Sequence, residues 1–202
     1  MSKLSSSGLE LFAADSRPFG RTCAEWTAEW WKWALSIPKS RNPIVDQSGK
    51  NCANNQAGPV WFLAGTLGGP TERSCTISSE KGILFPIINI ECSFAEGGGA
   101  TDEELSARAK FEMDQIINMH ATINGIRFDN LKEWRFQSPV FSVTLPYNNI
   151  LGLPAQTTRM VSEGYWLFLK PLPPGQYSLN SFGSCLAGRI KIQVYYHLTI
   201  RK

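Results

Sequence analysis

The chain is short of charge, of histidine and of long apolar runs. Asp, Glu, Lys and Arg make up 18% of its 202 residues, below the roughly 25% of an average protein, which excludes a disordered or heavily charged chain. The 20 basic and 17 acidic residues are spread along the whole length, for a net charge of +3. No lysine–arginine block and no aromatic–basic pattern of an RNA-binding sheet occurs, so no nucleic-acid partner is expected. The longest apolar run, Ile83 to Ile90, is interrupted by Pro86 and Asn89 and falls far short of the ~18 residues that cross a bilayer. No membrane span is expected. The first residues, Met1-Ser-Lys-Leu-Ser-Ser-Ser-Gly8, lack the apolar stretch of a secretory signal. That predicts a cytoplasmic protein, with a secreted or periplasmic one as the alternative if a signal has been removed.

The two histidines limit any His-based triad to His120 or His197. There is no G-x-S-x-G elbow, no H-x-x-x-H and no C-x-x-C, and Gly97-Gly-Gly99 lacks the Lys-Ser/Thr of a phosphate cradle. Neither a metal nor a cofactor is expected. Cysteines stand at 23, 52, 75, 92 and 185. They read either as small buried hydrophobes in a reducing compartment or as two disulfides. In the second case the expected pairs are Cys52–Cys75 and Cys92–Cys185 with Cys23 left over, although spacing alone does not settle connectivity.

What is present is aromatic mass and turn punctuation. Seven Trp and eleven Phe can fill the core of a chain this size, and 17 Gly with 12 Pro lean away from a helix bundle. Thr22 and Glu25 form a capping box before a helix predicted over 22–36, and Pro38 ends its pattern. At about 100° per residue Trp26, Trp30, Trp33, Ala34 and Ile37 share one arc, Trp31, Ala28 and Leu35 make a second apolar flank, and Glu25, Glu29, Lys32 and Ser36 form the polar wedge. Thr101 and Glu104 open a second helix, predicted over 102–118, with His120 at or just beyond its last turn. Asn124-Gly125 is a type I′ hairpin signal. The remaining segments alternate or run apolar between Pro/Gly turns, and the last strand is the clearest, with Ile190, Ile192, Val194, Tyr196, Leu198 and Ile200 on one face. Pro86 inside the apolar Gly82–Ile90 strand implies a bulge or an edge. The expected fold is mainly β with two α-helices, an antiparallel β-sandwich of jelly-roll or immunoglobulin-like type with the helices packed on it. Residues 1–20 read as an N-terminal extension and 21–202 as one domain.

Candidate chemistry rests on few residues. Glu91 ends a buried strand, where desolvation raises a carboxyl pKa, and Glu29 lies among tryptophans. Brought together they could act as an acid/base pair, although Glu29 also has Lys32 or Arg73 as ion-pair candidates. A hydrolase or lyase would use Glu91 with Glu29 or His120. Ligand-binding candidates are Trp31, Asn89 and Glu91, with carbohydrate as one ligand class because flat aromatic rings suit pyranose faces.

The stretches Glu25-Trp-Thr-Ala-Glu-Trp-Trp-Lys-Trp-Ala-Leu-Ser-Ile-Pro38, Gly58-Pro-Val-Trp-Phe-Leu-Ala-Gly65, Leu84-Phe-Pro-Ile-Ile-Asn-Ile-Glu91 and Gly164-Tyr-Trp-Leu-Phe-Leu-Lys-Pro-Leu-Pro-Pro-Gly175 resemble strings in an uncharacterised family of prokaryotic proteins. The resemblance spans most of the chain from residue 20 onward, implies one domain and brings no catalytic residue. Exported relatives would favour the Cys52–Cys75 bridge. Dense aromatics, low charge and the lack of a nucleophile or metal set lead to the expectation of a non-catalytic binding or interaction domain for an unidentified ligand or protein partner. An enzyme built on Glu91 and a self-assembling structural protein are the alternatives, and homo-oligomers are compatible with either.

Overall fold

The computed structural model describes residues 9–185 and 190–202. Helix α1 spans Cys23–Leu35, and its capping box is complete: Glu25 N–H donates to Thr22 Oγ1 while Thr22 N–H donates to the Glu25 carboxylate. Both predicted apolar flanks are used, because Trp26, Ala28, Trp30, Trp31, Trp33, Ala34 and Leu35 are all buried. Helix α2 spans Asp102–Asp114. Glu104 N–H donates to Thr101 Oγ1, but the Glu104 carboxylate accepts from Ala100 N–H, one residue before the cap. This helix ends at Asp114 and not at Asn118. The β-branched Ile116-Ile117 pair enters a strand instead, so His120 is a strand residue and not a helix-end one.

Among the described residues ten strands form two sheets. They are β1 (Val60–Phe62), β2 (Gly69–Ser78), β3 (Gly82–Ser93), β4 (Ile116–Ile123), β5 (Ile126–Phe128), β6 (Arg135–Gln137), β7 (Phe141–Leu145), β8 (Gln156–Leu169), β9 (Gly175–Cys185) and β10 (Lys191–Arg201). The first sheet runs β1-β3-β8-β6 with β7 also on β8, and the second runs β2-β10-β9-β4-β5. The Asn124-Gly125 hairpin forms as expected, both residues having positive φ. Pairing is not wholly antiparallel: β1 runs parallel to β3, and β2 runs parallel to β10 along most of its length. Pro86, which has no N–H to offer a ladder, coincides with a register shift between Pro86 and Ile88.

The sheets share a core to which β3 and β8 contribute Ile83, Phe85, Ile88, Tyr165 and Leu167, and the second sheet Ile77, Leu179, Val194, Tyr196 and Leu198. The other face of the first sheet carries a second core, where Leu84, Trp166 and Phe168 meet the α1 tryptophans. Helix α2 covers Cys92 and Val161 at the far end of β3 and β8. Residues 9–20 join this body: Leu9 is buried, Leu11 bridges Leu169, and Phe12 N–H donates to Phe168 O. Among the described residues no helix is long and apolar enough to cross a membrane.

The long segment between α1 and β1 has no regular strand and is held by polar anchors. Asn42 donates to the carbonyls of Ala34 and Ile37 and accepts from Ile44 N–H. The Asp46 carboxylate accepts from Ser48 N–H, Ser48 Oγ and Asn51 N–H. Gly49 has φ +89, and a Cβ there would stand 2.2 Å from Ser74 O, so only glycine fits. Cys52 is bridged to Cys75 on β2. Deepest of all is Arg73, 1% exposed. Its guanidinium donates five hydrogen bonds, to the carbonyls of Ile44, Asp46, Ala64 and Gly65 and to Tyr196 Oη.

Arg73→Met should cost about 3 kcal/mol or more in urea unfolding, because several buried carbonyls lose their donor together; a loss below about 1 kcal/mol would rule out the clamp as an anchor. Peptide mapping of a non-reduced digest should recover Cys52 linked to Cys75. Reduction should then lower stability by about 3 kcal/mol, the closure entropy of a loop of this separation.

Candidate functional site

On β8, Met160, Ser162, Gly164 and Trp166 alternate onto the face that α1 covers, as the packing of Met160 and Trp166 with the α1 tryptophans shows. The β3 residues opposite Gly164 and Ser162 are Asn89 and Glu91, so these two share that face. Gly164 is required there, since a Cβ would come within 2.6 Å of Asn89 Cβ. Strand β1 pairs with β3 only along Gly82–Leu84. Beyond Leu84 the chain of β1 turns away through Gly65 to Leu67, and a cavity of about 160 Å³ opens. Trp30 and Trp31 of α1, Ile44, Gly65, Thr66 and Leu67 of the loops, Ile88 and Asn89 of β3, and Ile190 and Ile192 at the start of β10 line it. Leu67 is 65% exposed and Ile190 is 42% exposed, which makes an apolar rim.

Several polar groups without partners lie on this side of the first sheet, with others at Trp61 Nε1, Asp102 Oδ1 and Asn180 Oδ1 away from it. Trp31 Nε1, Trp166 Nε1, Asn89 Nδ2, Glu91 Oε2 and Ser162 Oγ are all buried and meet no hydrogen-bond partner. The contrast within α1 is informative. Trp26, Trp30 and Trp33 each donate their indole N–H to a carbonyl, those of Pro18, Leu63 and Asn54, whereas Trp31, which lines the cavity, has none. Buried polar atoms in native proteins are nearly always paired, and clustered exceptions are associated with ligands, waters or chemistry.

Glu91 does not line the cavity. Burial, and after it the Glu96 carboxyl nearby, push its pKa up to about 9, so it keeps its proton at neutral pH. Glu96 is held in place by Ser93 Oγ, which donates to it at 2.6 Å. Burial likewise pushes the Cys92 thiol up to about 11, leaving it a poor nucleophile.

The other candidates disperse. Glu29 pairs with Lys32 at 2.9 Å and with Arg21 at 3.8 Å, and Arg73 is committed to the loop clamp. His120 stacks on Phe182 at 5.1 Å, on the second sheet, with its pKa lowered by burial and then by Arg127. His197 pairs with Glu72 on the polar face of β10. The expected Cys92–Cys185 bridge is absent: Cys92 packs against α2 from the first sheet, while Cys185 lies on the second, its Sγ accepting from Ile190 N–H. All four α1 tryptophans are buried, so the helix offers no open stacking platform. Among the described residues no group of His, Cys, Asp and Glu is arranged to hold a metal ion.

Ser162, Trp166, Leu67 and Ile190 are absent from the sequence-derived candidates. Ser162 and Trp166 looked like ordinary strand residues, and only their register opposite β3 puts them in this group. No family model, curated protein or solved structure matches the chain.

The raised pKa of Glu91 has a definite sign. An acid whose folded pKa lies near 9 against an ordinary value of 4.5 stabilises the fold fully below about pH 4.5. That contribution declines as the pH rises towards 9, because the unfolded state ionises first. Glu91→Gln, which mimics the neutral carboxyl, should therefore flatten the alkaline fall in urea midpoint between pH 5 and 9; unchanged slopes would show that Glu91 is ionised in the folded state.

Proposed function

We propose that this protein is a non-catalytic binding domain that takes a small, mainly apolar molecule into the cavity between α1, β3 and β10. The observation that carries the reading is the makeup of that cavity: among the described residues its lining is mainly apolar and contains no acid, base, thiol or cation. Apolar walls with a few polar groups are the usual composition of ligand sites. The reading treats the two sheets as a sandwich whose edge, where β1 leaves β3, carries the site. An enzyme centred on Glu91 is less well supported, because Glu29 is tied up in ion pairs and His120 sits on the other sheet.

The disulfide supports a place outside the cytoplasm, since such bridges persist in oxidising compartments. On this reading the cytoplasmic expectation gives way to a secreted or periplasmic one.

Toluene is a suitable probe for a site of this size. It should raise the melting temperature and quench tryptophan fluorescence, since Trp30 and Trp31 line the walls. Leu67→Asp at the exposed rim should weaken binding severalfold without unfolding the protein, and Glu91→Gln should leave it unchanged. Absence of any toluene response, or Glu91-dependent turnover in a broad hydrolase and lyase panel, would overturn the proposal.

A further inference from the structure

Away from the cavity, we infer that the outer face of the second sheet is a separate binding site for a neutral oligosaccharide. Both helices pack on the first sheet. In the second sheet the alternation of β9 and β10 sends Leu179, Val194, Tyr196 and Leu198 inward to the core, so the residues between them face outward. Pairing places Thr122, Asn180, Tyr195 and Glu72 in one row across β4, β9, β10 and β2, with Ser178 and His197 in the next. An open groove of about 350 Å³ runs over these rows, with Thr122, Ser178, Asn180, Tyr195 and His197 in its lining. That volume is within the range of small-molecule sites.

The lining is made of groups that both give and accept hydrogen bonds. The Thr122 and Ser178 hydroxyls make no hydrogen bond to described residues. The Tyr195 hydroxyl accepts from Gln193 Nε2 at 2.5 Å, which leaves its own proton to offer. His197 Nε2 lies 2.6 Å from Glu72, an interaction that orients the ring and leaves Nδ1 for another partner. A sugar presents hydroxyls of the same double character at neighbouring ring carbons, together with an apolar face of C–H groups. Tyr195, 39% exposed, supplies the flat ring for that face, and its rigid, amphipathic side chain loses little conformational entropy on contact.

Charge separates this ligand class from the others. Among the described residues no Lys, Arg, Asp or Glu lines the groove. The charged groups around it are largely answered: Glu72 pairs with His197 and Arg127 with Asp129, and Lys191 lies over the Phe182 ring. His120 stacks on the other side of that row, its pKa lowered by burial and then by Arg127. Arg201 is at the far end of β10, and Arg73 is turned to the inner side of the sheet, where its bonds are made. Neither a polyanion nor a polycation meets a matching field here. A second copy of the chain is a poorer fit as well, because the cores of stable self-association faces are more apolar than a groove with one exposed aromatic ring.

The test titrates the full-length protein by NMR with the neutral hexamers cellohexaose, maltohexaose, laminarihexaose, mannohexaose and xylohexaose, and with hexagalacturonate and a chitosan hexamer as charged counterparts. At least one neutral hexamer should bind with a Kd below about 1 mM, shift the signals of Thr122, Asn180, Tyr195 and His197, and exceed both charged ones in affinity. Tyr195→Ala should weaken it about tenfold, the worth of one aromatic contact, whereas Tyr195→Phe, which keeps the ring, should retain most of the affinity. His197→Ala provides a second variant should Tyr195→Ala prove unstable, with a severalfold loss expected. Leu67→Asp, at the rim of the cavity on the other side of the molecule's core, should leave sugar binding unchanged, so this site and the cavity stand or fall separately. No binding by any neutral hexamer, tighter binding of a charged one, or equal affinity in wild type and Tyr195→Ala would each overturn the inference. Shifts at Tyr195 and His197 that follow protein concentration alone would assign the face to a second copy and overturn it too.

Discussion

A buried guanidinium organises this protein, with the buried Asp46 carboxylate near enough for the two charges to interact. Arg73 gives up bulk hydration and is solvated instead by four backbone carbonyls and a tyrosine hydroxyl. Its three nitrogens, fixed in a planar fork, tie the loop at Ile44 and Asp46 and the turn at Ala64 and Gly65 to β2 and reach Tyr196 of the paired strand β10. Two of those pieces, Ile44 and Gly65, are also walls of the cavity. The clamp that closes the fold thus shapes the site. Neighbouring anchors act in the same sense: the Cys52–Cys75 bridge and the close approach of Gly49 to Ser74 press one long loop against one strand.

Against this well-satisfied region, the α1 side of the first sheet is unusual. The α1 indoles other than Trp31 are matched to carbonyls, the loops are saturated by Asn42, Asp46 and Asn149, yet a group of donors and acceptors along β3 and β8 is left unpaired. Unpaired buried polar groups each cost on the order of 1–3 kcal/mol. Trp61 Nε1, Asp102 Oδ1 and Asn180 Oδ1 are unmatched elsewhere, so the α1 side of the first sheet gathers the larger share of such groups and not all of them.

Local signals were legible where they are self-contained. The α1 capping box, the Asn124-Gly125 turn and the alternation of β10 depend on residues a few positions apart and appear as expected. The span 102–118 expected for the second helix overshoots because Ile116 and Ile117 continue the helical spacing of Leu105, Ala109 and Met113, whereas pairing of Ile116 with β9 competes and prevails. The parallel ladder of β2 with β10 joins segments far apart in the chain, and no local pattern announces it. Trp31 and Asn89 were singled out from sequence, one as a second helix flank and one as a polar residue in an apolar strand. Their placement in one wall depends on β1 ending early, and Glu91, singled out with them, lies on the same strand face outside the lining.

Periodicity, caps and turn residues are short-range physics, and by themselves they determined the helices, most of the strands, the mainly β class and a core filled by tryptophan and phenylalanine. Tertiary structure alone decided which strands run parallel, that Cys92 and Cys185 stay apart, that Glu29 and His120 lie away from Glu91, and that a cavity opens beside Trp31. Those outcomes turn on which distant segments meet and on which buried polar groups find partners there. Burial and partnership are properties of the assembled sheets, and no window of the sequence contains them.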